Sequence, residues 1–195
     1  MRGLILPAQY KKGQYMTVDF TKADPTFVKH VRSIQADILN GVNRIILDDL
    51  VAREMDLYSN ASEFTSTAGN IIKYTTVPLL AGACLHEYAM KLSSYSTSVK
   101  NALDEAVESL IALHIAKNGD YSAYGNDRWA NIRACEHIGI PATTGVLIRV
   151  MDKINRYISL SKLPLLPRVQ ESIEDTLLDI VGYLIIYECL QSEYK

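Results

Sequence analysis

The sequence predicts an all-α fold in which six or seven helices pack as a bundle. Apolar residues recur at spacings of three and four, and no strict alternation is long enough to require a β-sheet. Short segments rich in Gly, Pro, Ser and Thr separate the helical stretches. With 195 residues, 48% hydrophobic and 22% charged, the chain has enough apolar surface for a substantial core.

Composition also limits the partners and the compartment. A net charge of -2 gives no basic field for long DNA or RNA, although a small nucleotide remains compatible. Cys84, Cys135 and Cys189 lack metal spacing, so we expect buried, reduced thiols. The first apolar run is too short for a signal peptide, and no stretch reaches the ~18 apolar residues of a membrane span. We therefore expect a cytoplasmic protein with no membrane partner.

The first half of the chain is predicted to contain an extended arm and several helices. The arm covers residues 1–23, and Asp24 and Pro25 then suit the start of a helix. Gly41 interrupts the helical pattern, which predicts one bent helix or two helices as far as about Tyr58.

A polar loop with a short helical turn follows over residues 59–78, and Pro78 opens a helix rich in small residues. Ser96 or Ser98 is predicted to cap the next helix, which ends at Gly119. Three further helices are predicted in the segments NDRWANIRACEHIG, PATTGVLIRVMDKINRYISLSK and RVQESIEDTLLDIVGYLIIYECLQ. Pro164 and Pro167 stiffen the connector between the last two.

The last helix carries an acidic stripe along the edge of its apolar face, formed by Glu171, Glu174, Asp175 and Asp179. Converging carboxylates are the ligands that Mg²⁺ or Mn²⁺ prefers, so these four are candidate metal ligands. The alternative is an acidic first turn that interacts with the helix dipole, but Asp179 lies too far along the helix for that explanation.

The preceding helix places Arg149, Asp152, Asn155 and Arg156 opposite its apolar stripe. These side chains form either a surface ladder of ion pairs or a phosphate clamp beside a metal ligand. Asp104, Glu105 and Glu108 lie on an earlier helix, where a solvated face is the expected environment. Nothing in the sequence has the form of a phosphate-binding glycine loop or a nucleophilic triad.

The segment KNGDYSAYGNDRWANI combines three aromatic residues, several amides and carboxylates, and two glycines that permit a close backbone approach. Such a mixture can stack a nucleobase and hydrogen-bond its edges. Alternatively, Asn126 or Asp127 caps the next helix while Tyr121, Tyr124 and Trp129 seal the edge of the core.

The segment KNGDYSAYGNDRWANI, the segment LIRVMDKINRY and the segment ESIEDTLLDIVGYLI follow one another over roughly residues 100–195. Together they resemble the nucleotide modification associated domain 1 family. That family is similar to the all-α nucleoside triphosphate pyrophosphatases, alongside the MazG and dimeric dUTPase groups. Residues 1–99 are an added helical part with no family resemblance. The resemblance implies a helical bundle, a homodimer or higher homo-oligomer, and a role in bacterial or phage nucleotide metabolism.

In that superfamily an E-E-x-x-E helix and an E-x-x-D helix hold Mg²⁺. Glu171, Glu174 and Asp175 approximate the second motif, although Ser172 stands three residues before Asp175, and Asp104, Glu105 and Glu108 mimic the first. The predicted catalytic residues are Asp152, Glu171, Glu174 and Asp175, and the same four with Asp179 are the predicted metal ligands. The predicted nucleotide-binding residues are Lys117, Asn118, Asp120, Tyr121, Tyr124, Gly125, Asp127, Trp129, Asn131, Arg149, Lys153 and Arg156.

The leading functional hypothesis is Mg²⁺- or Mn²⁺-dependent hydrolysis of a nucleoside triphosphate to a monophosphate and pyrophosphate. A second hypothesis is a non-catalytic protein that sequesters a modified or cyclic nucleotide, for example to counter a defence signal. A third is a structural module that retains the bundle without the site.

Overall fold

A computed structural model of the chain describes residues 19–42, 45–56, 68–72, 75–93, 98–121, 127–162 and 172–193. Within these ranges every regular element is helical, which confirms the all-α prediction. The main helices are α1 (Pro25–Leu39), α2 (Leu47–Asp56), α3 (Val77–Ser93), α4 (Val99–Tyr121), α5 (Ala130–Arg133), α6 (Ala142–Lys162) and α7 (Ile173–Glu193). The predicted arm over residues 1–18, the loop over residues 59–67, Ser96, and the connector with Pro164 and Pro167 lie outside the described residues.

The predicted starts of two helices are confirmed by their caps. The Asp24 carboxylate accepts a hydrogen bond from the backbone N–H of Phe27 at 2.7 Å, with Pro25 in the first turn of α1. The Ser98 hydroxyl accepts from the backbone N–H of Asn101 at 3.3 Å, at the start of α4. Gly41 has a φ of 74° just after α1, so α1 and α2 are two helices and not one bent helix.

Three predicted boundaries are wrong. Residues 20–22, assigned to the extended arm, form a 3₁₀ turn because the Asp19 carboxylate caps the Thr21 N–H. Helix α4 continues through Gly119 to Tyr121, since Gly119 has no positive φ and its low helix propensity does not by itself end a helix. The helix predicted over NDRWANIRACEHIG is only α5 followed by a 3₁₀ helix, Ala134–Ile138, which Gly139 ends with a φ of 80°.

Helix α7 lies at the centre of the fold. It packs most extensively against α6 and α3, and it also contacts α1 and α4. Its buried residues lie on all sides of the helix, as expected for a helix surrounded by others. Small residues in the first half of α3, such as Gly82 and Ala83, are fully covered and favour the close α3–α7 contact. Buried apolar residues from Ala23 to Leu190 form a single core cluster.

Across the described segments, no helix combines the length and the apolar character needed to cross a bilayer. The three cysteines are free thiols. Cys84 and Cys189 are buried as expected, whereas Cys135 is only half-buried because it lies in the short 3₁₀ helix near the surface.

Candidate functional site

A cleft opens between α1, α4, α6 and α7, next to the segment that leads into α5. The cavity within this cleft has a volume of about 70 Å³. Its walls combine aromatic rings, two cationic side chains, one carboxylate and two amides.

Aromatic rings from three parts of the chain form one wall of the cleft. The His114 imidazole on α4 stacks on the Phe27 ring of α1, with centroids 3.7 Å apart and planes 5° apart. Trp129 lies beside His114, with centroids 5.7 Å apart and planes tilted by 42°. This wall therefore joins the first helix, α4 and the segment before α5.

His114 is held in its neutral form. Burial lowers the pKa of His114 from 6.5 to about 4, because the charged imidazolium would lose its hydration. The Asn118 side-chain amide lies 3.2 Å from the His114 Nε2 atom, one helical turn along α4. At neutral pH the ring is therefore uncharged, and it adds no positive charge to the cleft that it lines.

Trp129 is fixed by polar contacts at its edges. Its indole Nε1–H donates to the Glu193 carboxylate on α7 at 3.2 Å, and its backbone N–H donates to Asp127 at 2.8 Å. Arg133 bridges the two acids, at 3.3 Å from the Asp127 carboxylate and in direct contact with Glu193. The aromatic wall is thus tied to the C-terminal end of α7.

The neighbouring Arg128 forms an ion pair with Asp24, the residue that caps α1. This pair holds the segment before α5 against the start of α1. As a result, the chain from Asp127 to Trp129 is anchored on two sides of the cleft.

A buried carboxylate with two lysine partners lies at the edge of the cleft. Asp179 on α7 is 8% exposed, and its Oδ1 atom pairs with the Lys117 ammonium on α4. Its Oδ2 atom lies 2.7 Å from the Lys153 ammonium on α6. A carboxylate this poorly hydrated is costly unless it is paired, and here two ammonium groups are its partners.

Two arginines of α6 lie against α7. The Arg149 guanidinium carbon is 5.8 Å from the centroid of the Tyr183 ring, within cation–π distance, and both residues line the cleft. About two turns further on, the Arg156 Nε–H donates to the Thr176 hydroxyl at 3.3 Å. Arg149 therefore faces the cleft, whereas Arg156 ties α6 to the start of α7.

Five predicted nucleotide-binding residues line the cleft, namely Lys117, Asn118, Trp129, Asn131 and Arg149. Lys153, Asp127 and Arg156 are engaged in the contacts above and are not among the lining residues. Asp120 and Tyr121 belong to the last turn of α4, and the positions of their side chains are not described. Tyr124 and Gly125 lie outside the described residues.

The predicted metal ligands are not brought together into one cage. Asp175 takes part in a capping box, in which Ser172 N–H donates to its carboxylate at 3.1 Å and its own N–H donates to the Ser172 hydroxyl at 3.0 Å. Asp179 is paired with lysines, Asp152 is exposed on α6, and Glu174 is half-buried. Glu171 lies outside the described residues.

A second acidic region involves Glu105, which was expected on a solvated face but is half-buried. The pKa of Tyr88 is raised to about 12, chiefly by burial, against the opposing effect of a hydrogen bond with Ser109. The negative charges of Asp175, Glu105 and Glu174 raise it further.

Its neighbour Asp104 is also half-buried, because its carboxylate accepts from the Gln35 amide of α1 at 2.6 Å. In the described ranges, no group of three or more His, Cys, Asp or Glu side chains is arranged to hold a metal ion. The donor set seen here does not fit a magnesium cage, and the predicted metal site stays a prediction.

The sequence did not predict Phe27 and Tyr183, which line the cleft, or Glu193, which accepts a hydrogen bond from Trp129. Phe27 and Tyr183 look like ordinary apolar helix residues, and their roles depend on which helices pack together. In the sequence, His114 falls on the apolar face of its helix with Leu110 and Ile111, and that was the available signal for a neutral, buried ring.

In comparisons with known proteins, no family model, no curated protein and no solved structure matched the chain.

Proposed function

We propose that the protein binds a small nucleotide in the cleft between α1, α4, α6 and α7. The observation that carries this proposal is the meeting of an aromatic wall and two cationic side chains in one cavity. The neutral His114 ring, Trp129 and Tyr183 offer faces for a base, and Lys117 and Arg149 offer charges for phosphate oxygens.

The amides of the cleft supply hydrogen-bonding groups at the same place. Asn118 and Asn131 both line the cavity, and an amide can donate to and accept from a base edge. A mainly apolar cleft with a few polar groups is typical of a small-molecule site. These features support nucleotide binding more directly than they support hydrolysis.

The first test is chromatography of a nucleotide panel, canonical, modified and cyclic, after incubation with the protein and Mg²⁺. Heat denaturation at the end releases any bound ligand. We expect one class of nucleotide to be depleted from solution and recovered intact after denaturation. If every nucleotide stays in solution unchanged, the proposal is wrong.

Gly182→Leu tests whether the cleft is the binding site without changing any charge. A Cβ atom at Gly182 would meet only Leu110, at the ordinary distance of 3.8 Å, so a leucine side chain can extend into the cavity. Replacing a helical glycine also stabilises the helix by up to about 1 kcal/mol. We expect a folded protein that no longer depletes the nucleotide. The matched control is Gly69→Leu, since nothing lies within 4 Å of a Cβ atom there.

A second candidate function is Mg²⁺-dependent hydrolysis of a nucleoside triphosphate, of the kind the family resemblance implies. The observation in its favour is that the charges of Asp175, Glu105 and Glu174 all act on the buried hydroxyl of Tyr88, so these acids of α4 and α7 share one region. A monophosphate product that disappears with chelator would identify this activity.

Asp175→Asn and Ser172→Ala separate a chemical role of Asp175 from its capping role. Both variants weaken the capping box, at a cost of about 1 kcal/mol. A metal-dependent hydrolase would lose activity only with Asp175→Asn. Equal activity in the two variants would show that Asp175 only caps α7.

A further inference from the structure

The two lysines that neutralise Asp179 occupy different positions relative to the cleft. Lys117 lines the cleft and has a side chain 36% exposed, whereas Lys153 approaches from α6 with a side chain 22% exposed and is not a lining residue. The Asp179 carboxylate is thus contacted from the cleft side and from the α6 side at once. Such an arrangement gives one buried anion two cationic partners.

This double pairing allows Lys117 to change partner at low cost. An isolated buried carboxylate is strongly destabilising, but Asp179 keeps Lys153 at 2.7 Å if Lys117 turns away. A phosphate in the cleft offers Lys117 a second anion. In this exchange Lys117 gives up its ion pair with Asp179 and forms one with the phosphate, while Asp179 stays paired with Lys153.

The charge of the cleft then specifies the charge of its ligand. Among the described residues that line the cleft, the charged ones are Lys117, Arg149 and Asp179. When Lys153 balances the charge of Asp179, Lys117 and Arg149 remain, with a combined charge of about +2. A phosphate monoester carries about -1.5 to -2 at neutral pH, so these two cations balance its charge. A triphosphate would bring more negative charge than these two cations balance.

We propose that the cleft binds a nucleoside monophosphate without a divalent cation, and that its phosphate replaces Asp179 as the partner of Lys117. Lys153 acts as a positioning residue that holds the Asp179 charge and does not contact the ligand. This inference rests on the proposed nucleotide-binding function and names the phosphate class that the same cleft selects.

Asp179 and the ligand phosphate therefore compete for Lys117. Asp179→Asn removes the competitor, and affinity for the monophosphate should rise by about 10- to 100-fold, the value of one charge-assisted hydrogen bond. Lys153→Met makes Lys117 the sole counter-ion of Asp179, so affinity should fall. Lys117→Met should abolish the binding.

A double-variant cycle separates positioning by Lys153 from direct phosphate contact. If Lys153 acts only through Asp179, adding Lys153→Met to Asp179→Asn should leave affinity unchanged. If Lys153 touches the phosphate, the same addition should weaken binding as much as it does in the wild-type chain, and the positioning role would be refuted. Controls are Lys100→Met, at an exposed lysine of α4, and Asp49→Asn, at an exposed acid of α2.

The experiment is titration calorimetry in the presence of a chelator, supported by the emission of Trp129, the single tryptophan. The probes are the eight ribo- and deoxyribonucleoside 5′-monophosphates, their triphosphates, their nucleosides and inorganic phosphate. Thermal melts establish that each variant is folded. We expect one or more monophosphates to bind more tightly than the matched triphosphate and nucleoside, with the opposite effects of Asp179→Asn and Lys153→Met described above.

Two failures are distinguishable. If a triphosphate binds best and only with Mg²⁺, or if Asp179→Asn abolishes binding, the monophosphate inference is wrong while nucleotide binding stands. If none of these probes binds, and the wider panel with Mg²⁺ is also left untouched, the proposed function itself fails.

Discussion

The imidazole of His114 lies parallel to the phenyl ring of Phe27, with ring centroids 3.7 Å apart, so α4 and α1 meet through a stacked pair. Phe27 belongs to the buried core, and both residues also line the cleft, so the pair lies where the core meets the cavity. A titratable ring in this position couples the stability of the fold to pH.

The stability of the protein is expected to depend on His114 between pH 6.5 and about 4. Burial lowers the pKa of His114 from 6.5 to about 4, so in this window the unfolded chain takes up a proton that the folded chain does not. The stability from neutral His114 is complete above pH 6.5 and is lost as the pH falls towards 4. The loss amounts to about 3 kcal/mol at most.

His114→Phe should remove this part of the pH dependence and keep a ring against Phe27. The measurement is urea unfolding at several pH values between 4 and 7. His137→Phe is the control, because His137 is exposed. If the free energy of unfolding of His114→Phe falls with pH as steeply as that of the wild-type chain, the low pKa of His114 is contradicted.

Tyr157 and Glu87 are expected to be energetically coupled. The Tyr157 hydroxyl on α6 donates to the buried Glu87 carboxylate on α3, which also accepts from the Asp48 N–H at 3.3 Å. Burial raises the pKa of Glu87, and burial and the bond to Glu87 raise the pKa of Tyr157. Tyr157→Phe leaves one carboxylate oxygen without this donor and should cost about 1–3 kcal/mol.

Glu87→Gln should cost less than Tyr157→Phe at neutral pH. Because the pKa of Glu87 is raised in the folded protein, the fold loses stability as the pH rises through that pKa and Glu87 becomes ionised. A neutral amide avoids this loss. Denaturant unfolding of both variants and of the double variant measures the coupling. Additive effects would mean that the two side chains do not interact.

Glu193→Ala is expected to loosen Trp129. The Trp129 ring is 2% exposed, and its Nε1–H donates to Glu193 at the end of α7. Removing the carboxylate should shift the emission of the single tryptophan to longer wavelength and weaken nucleotide binding. The free energy of unfolding should change by less than about 1 kcal/mol, because Glu193 is largely exposed.

Glu188→Ala, on the same helix but lining a different cavity, should leave the emission unchanged. Unaltered emission in Glu193→Ala would show that the bond does not position the ring.

Gly145→Ala should destabilise the start of α6. A Cβ atom at Gly145 would lie 2.7 Å from the Cys135 Sγ atom, closer than van der Waals contact allows. We expect a loss of about 1–3 kcal/mol from overpacking. Thermal or urea unfolding measures it.

Cys135→Ala should rescue this loss, since the nearest contact of the new methyl group is then the Cys135 Cβ position at 3.6 Å. The double variant should also gain the higher helix propensity of alanine, up to about 1 kcal/mol. Continued destabilisation in the double variant would place the clash elsewhere.

The helices themselves were predictable because their signals are local. Asp24 and Pro25 at the start of α1, Ser98 before α4 and Gly41 after α1 act within one turn of their own position. The end of α4 was less predictable, since Gly119 lowers helix propensity without ending the helix. The short helical turns around Trp129 likewise depend on the contacts of Arg128 and Arg133 with distant acids.

The candidate site was predictable in its residue types but not in its pairings. The sequence indicated Lys117, Trp129 and Arg149 as nucleotide-binding residues, and all three line one cleft. It also suggested that Asp175 and Asp179 act together as metal ligands. In the fold, Asp175 caps α7 with Ser172, and Asp179 pairs with two lysines.

The sequence alone determined that the chain is helical, where most helices begin, and which faces are apolar. These properties follow from a repeat of about 3.6 residues and from caps that act within one turn. Only the tertiary structure decided that Asp179 meets Lys117, which is 62 residues away in the chain. The partner of a buried charge depends on which helices pack together, and the periodicity of a single helix carries no information about that.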